Sequence, residues 1–120
     1  MGRLTVRAAR KAGTWYPDDP EMLQKDMETY LHAASDAQVP PDSSLRAVIV
    51  PHAGFQYSAA TAAFGFRAVA NTAARRVILL HPSHFVGFDG IRHCPFDSVA
   101  TPVGDIPVFK LPGVAENSES

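Results

Sequence analysis

Two segments of this chain share one pattern. VIVPHAGFQY over residues 48–57 and ILLHPSHFVG over residues 78–87 each run through apolar residues into a proline-containing turn that carries a histidine. The runs are Ala47, Val48, Ile49 and Val50 in the first and Val77, Ile78, Leu79 and Leu80 in the second. Neither alternates with polar residues, as expected of a strand covered on both faces. Between them, SAATAAFGFRAVAN predicts a helix from Ser58 to about Asn71, with helix-forming alanines, Ser58 as N-cap and Gly65 where another element approaches closely. Strand, helix and strand in this length make a βαβ unit, whose strands are parallel with a right-handed crossover. The expected fold class is therefore α/β, with a parallel sheet core built on the βαβ unit and flanked by helices.

Upstream, DDPEMLQKDMETYLHAA carries the signals of a helix start: Asp18 or Asp19 as N-cap, Pro20 in the first turn, and acidic residues at the positive end of the dipole. Leu23, Met27, Tyr30, Leu31 and Ala34 fall on one face of it. Pro40 and Pro41 cannot continue a helix, so a loop is expected there. After the second histidine turn the chain is rich in Gly, Pro and Asp, which predicts loops and a short strand around Ile106 to Phe109. A single domain over residues 1–112 and a disordered tail over residues 113–120 complete the expected organisation.

With 120 residues, 46% of them apolar, 19% charged and a formal net charge of -1, the chain falls in the ordinary globular range. A domain of this size buries roughly two thirds of its unfolded surface. Near-neutral charge without a Lys/Arg cluster argues against nucleic acid and anionic membrane as partners. No apolar run reaches the length of a signal peptide core or a membrane span, and the one cysteine, Cys94, cannot form an internal disulfide. The expected location is the cytoplasm. No phosphate-binding loop, nucleophile elbow or C-x-x-C motif is present, which leaves nucleotide, serine-hydrolase and thiol-redox chemistry without support.

His52 and His84 are 32 residues apart, about one βαβ repeat. On neighbouring strands, ~4.8 Å apart, both would emerge at the strand ends where open α/β sheets place ligand sites. Two neutral imidazoles there suit Zn²⁺, Fe²⁺ or Cu, although two ligands are too few to hold a metal tightly. A single histidine in such a turn is more often a hydrogen-bonded loop residue, and His81, on the strand itself, can point into the core or cap the turn. Asp89, Asp97 and Asp105 could serve as carboxylate ligands or bases, but all sit in Gly/Pro-rich turns that favour Asp for local hydrogen bonds.

AGTWYP near the start, PHAGFQYS, ILLHPSHFVGF and ATPVGDIPV, in this order and spacing, closely resemble the Memo (mediator of cell motility) family. The resemblance runs from about residue 7 to residue 109, yet matches less than half of a typical member. It implies a fold similar to class III extradiol dioxygenases, here as an incomplete domain. It also implies that His52 and His84 are two metal ligands, with a third supplied by a late cysteine that this chain does not contain. Cys94, ten residues after His84, does not match that position and reads as a small apolar residue. Trp15 and Tyr57 match aromatic positions that line the Memo pocket, which implies a phosphotyrosine peptide or another protein as partner. Trp15 and Tyr16 can equally anchor the N-terminal arm against the core. Phe55 stands where many members carry tyrosine.

The function implied is that of a Memo-like metal-binding protein in intracellular signalling and cell motility or in redox control, with no catalytic residues assigned. The alternative is a non-haem dioxygenase of the extradiol type, which needs a carboxylate beside the two histidines. A truncated form with little independent activity is a third reading, in which an incomplete sheet would leave an apolar face open.

Overall fold

The computed structural model describes residues 4–35 and 44–116. The chain divides into two compact units, Lys11–Val77 and a second made of Met1–Arg10 with Ile78–Ser120.

The first unit is helical. Helix α1, Pro20–Ala33, begins as its sequence dictates: Asp19 is the N-cap, its carboxylate accepting the Met22 N–H at 2.8 Å, and Pro20 occupies the first turn. Leu23 is buried, Met27, Tyr30 and Leu31 are half-buried, and Ala34 at the C-cap is buried. Helix α2, Phe55–Ala70, buries Ser58, Ala62 and Ala63. Small side chains on that face let a neighbour come close. At Gly65 a β-carbon would lie 2.5 Å from Val50 Cγ1 and 3.6 Å from Val48 Cβ, so only a glycine fits beneath the extended segment. Val48 and Val50 are thereby half-covered by α2, while Ile49 between them points fully into solvent. An aromatic cluster ties the helices together: Phe55 packs on Tyr16 at 5.8 Å between ring centroids and edge-on to Tyr30 at 6.3 Å.

The second unit holds short strands: β1 (Val6–Arg7), β2 (Arg92–His93), β3 (Ser98–Val99), β4 (Ile106–Pro107) and β5 (Ala115–Glu116). Strand β3 is central in a mixed sheet, parallel to β1 and antiparallel to β4, and β2 pairs in parallel with β5. Thr101 and Gly104 exchange both backbone hydrogen bonds at 3.1 Å and close the β3–β4 hairpin. Gly104 has φ 129°, a conformation closed to most side chains.

The α/β class holds, as a small mixed sheet with two helices, but the parallel core expected from the two apolar runs does not form. Residues 47–50 and 77–80 are extended without belonging to a ladder. Their unbroken apolar pattern calls for neighbours on both faces; among the described residues α2 gives one face of 48–50 its cover. Val77, Ile78, Leu79 and Leu80 are 69–77% exposed. The strand near residue 106 is present and shorter than predicted. Helix α2 starts three residues before Ser58, with Gly54 as its cap. Part of the segment expected as a tail, Ala115–Glu116, is strand β5. The predicted Pro40-Pro41 loop and residues 117–120 lie outside the described residues.

Candidate functional site

The turn that carries His52 is built from backbone. Pro51 ends the extended segment, and Gly54, two residues beyond His52, caps α2 without any side-chain hydrogen bond. Helix starts leave N–H groups without partners, and one of these, at Phe55, donates to the Trp15 carbonyl at 2.8 Å. On the other side the buried Ser58 hydroxyl reaches back and donates to the Ala53 carbonyl at 2.8 Å. The Gly54 carbonyl accepts the Tyr57 and Ser58 N–H groups at 2.9 and 3.2 Å. Residues 53–55 are thus fixed from both sides, and the His52 side chain is exposed.

The AGTWYP segment is a tight turn. Thr14 and Trp15 donate to the Lys11 carbonyl at 3.2 and 2.9 Å, Gly13 donates to the Tyr16 carbonyl at 2.8 Å, and Gly13 has φ 79°. The anchoring expected of Trp15 and Tyr16 together falls to the Tyr16 ring and the Trp15 carbonyl. The Trp15 ring remains 45% exposed beneath the Lys11 ammonium, 4.6 Å from its centroid, a cation–π pair. Tyr57, in the first turn of α2, is 78% exposed. The fold therefore brings Trp15, Tyr57 and the His52 turn to the N-terminal end of α2.

His84 belongs to the other unit, where its side chain is exposed. Its turn is shaped by Ser83, whose hydroxyl oxygen accepts the Val86 N–H at 3.2 Å. His81 is exposed and holds Nδ1 3.0 Å from the Pro82 carbonyl; a carbonyl only accepts, so the proton sits on Nδ1. It caps the turn rather than entering a core. His93, to which the sequence assigned no role, sets Nε2 2.8 Å from the Leu111 carbonyl. Cys94 is half-buried.

Of the three aspartates, Asp97 has the defined structural role. Its carboxylate accepts the Thr5 N–H at 2.8 Å and the Thr5 hydroxyl at 2.9 Å. These bonds, the backbone one foremost, hold its pKa below the ordinary carboxylate value. No local pattern marks this pairing, because its partners are 92 residues apart.

Imidazole nitrogen is a fitting donor for Fe, Cu or Zn, and both turn histidines are accessible. Among the described residues, no three His, Cys, Asp or Glu side chains are grouped to hold a metal ion. No helix among them is long and apolar enough to cross a membrane.

Comparison with known proteins agrees with the motif order. The family model described as Memo-like protein matches residues 7–110. The chain is 37% identical to the memo-1 homolog of Caenorhabditis elegans over 103 residues, which is 86% of this chain and 28% of that protein. It is 34% identical to Protein MEMO1 of Danio rerio over 106 residues, 88% of this chain and 34% of that one. A MEMO1 family protein of Schizosaccharomyces pombe is 33% identical over 86% of this chain and 32% of its own length. The chain spans about a third of the length of these curated relatives.

Proposed function

This chain belongs to the Memo-like protein family, and from that premise we propose that it contributes His52 and His84 to a transition-metal site, with Fe, Cu or Zn as the ion, in a protein that acts in cytoplasmic signalling and cell motility or in redox control. The observation that carries the reading is local. The PHAG turn presents an exposed imidazole from a backbone held on both sides, and the PSH turn presents a second exposed imidazole from a turn closed by Ser83.

In this reading the imidazoles bind through neutral ring nitrogens, and a bound ion would supply Lewis acidity or redox capacity. Trp15 and Tyr57 offer exposed aromatic surface at the end of α2 for a protein partner, such as a phosphotyrosine peptide. Metal analysis of the purified protein beside His52→Ala and His84→Ala tests the site. The expected result is metal lost in both variants, and equal metal content in all three would overturn it. Oxygen uptake with a catechol and Fe²⁺, abolished by His52→Ala, would replace the signalling reading with a dioxygenase one.

A further inference from the structure

We infer that Ser58 is a positioning residue for His52, acting through the Ala53 carbonyl; the inference rests on the metal-site reading above. Ser58 is the one buried polar side chain among the described residues, 5% exposed. Ser58 is the fourth residue of α2, inside the helix, where a serine hydroxyl can turn back to a carbonyl of the preceding turn. Here it donates at 2.8 Å to the Ala53 carbonyl, in the turn before the helix, with the Gly54 carbonyl at 3.4 Å.

The Ala53 carbonyl belongs to the peptide plane one residue beyond His52. The next N–H along, at Phe55, is held by the Trp15 carbonyl. Two bonds therefore hold the backbone that directly follows His52, whose imidazole is exposed. Glycine at 54 has no side chain to restrict this backbone, so the restriction has to come from those partners. A metal ligand on an ordered turn loses less freedom on binding than one on a loose turn. Groups that hydrogen-bond a ligating side chain directly typically change metal affinity 10–100-fold when removed, and a group acting through the backbone belongs at the low end of that range.

The experiment titrates Zn²⁺ alone into the protein and into Ser58→Ala, Ser58→Thr, Ala62→Gly and His52→Ala, and separately follows exchange of the Phe55 amide, the hydrogen-bonded N–H of this turn, in the metal-free proteins. Ser58→Ala is expected to weaken Zn²⁺ binding about 10-fold and to speed exchange of the Phe55 amide. Ser58→Thr keeps the hydroxyl and is expected to recover both. Ala62→Gly loosens α2 at another buried position without touching the turn, and is expected to leave Zn²⁺ affinity unchanged. Ser58→Ala with wild-type exchange of the Phe55 amide, or with wild-type Zn²⁺ affinity while His52→Ala loses it, overturns the inference. Zn²⁺ affinity unchanged in His52→Ala overturns the metal-site reading itself, with the exchange measurement still reporting on the turn.

Discussion

Gly65 of α2 and Val50 of the extended segment approach so closely that a single methyl group on the glycine would sit 2.5 Å from Val50 Cγ1. Contact this tight makes Gly65→Ala destabilising even though alanine favours a helix by up to about 1 kcal/mol. Overpacking costs about 1–3 kcal/mol, and after the propensity gain of up to about 1 kcal/mol a net loss of up to about 2 kcal/mol is expected in urea unfolding. Val50→Ala in the same chain should recover part of it. Gly65→Ala at wild-type stability would show that the segment is not held against the helix.

Phe55 joins the Tyr16 turn to α1 and α2. Large-to-small changes at fully buried phenylalanines cost about 3–5 kcal/mol. This ring is half-buried, so Phe55→Ala is expected to cost about 2 kcal/mol, while Phe55→Tyr should cost less. The check is a chemical unfolding curve followed by helical circular dichroism.

Asp19 caps α1 through a single carboxylate bond to the Met22 N–H. Asp19→Ala should therefore cost about 1 kcal/mol, and Asp19→Ser should restore most of it. Equal stability of the alanine and serine variants would contradict the cap.

The Thr5–Asp97 pairing makes a pH prediction. The folded pKa of Asp97 lies below its ordinary 3.8. Its contribution is therefore present above the unfolded pKa and is lost as pH falls through the lower, folded one. The amide resonance of Thr5 should shift in acid, below about pH 4, and Asp97→Asn should abolish that titration. A Thr5 amide that follows a midpoint above 4 would contradict the assignment.

The run at 77–80 is exposed along its length. Leu79→Lys should leave unfolding stability within about 0.5 kcal/mol while reducing binding of a hydrophobic dye and aggregation. A large loss of stability would show that Leu79 is covered in solution.

What the sequence discloses depends on whether the signal is local. Asp19, Pro20 and the apolar spacing of α1 lie within one helix, and the helix follows them. The start of α2 is displaced by three residues from the Ser58 expectation because its N-cap is Gly54 and its first N–H, at Phe55, is taken up by the Trp15 carbonyl, a backbone group with no residue signature. Ser58 is close to the helix start, as its type suggests, but its hydroxyl turns toward Ala53. The apolar runs at 47–50 and 77–80 encode the surroundings of a buried strand, and an encoding of surroundings cannot say which part of a chain provides them. The Val6–Arg7 and Ser98–Val99 pairing is too short for any periodicity and depends on partners far apart in sequence. Of the candidate site, the two histidine turns are legible from PHAG and PSH. The side-chain and backbone bonds that fix the first of them are not.

The bond from the Phe55 N–H to the Trp15 carbonyl has one further consequence. Every amino acid has a carbonyl, so residue 15 can change its side chain without giving up the bond that starts α2. The exposed ring and the structural bond are separable tasks carried by one position. The exposed surface at this end of α2 can therefore change over evolutionary time, through substitutions at residue 15, with little penalty in foldability.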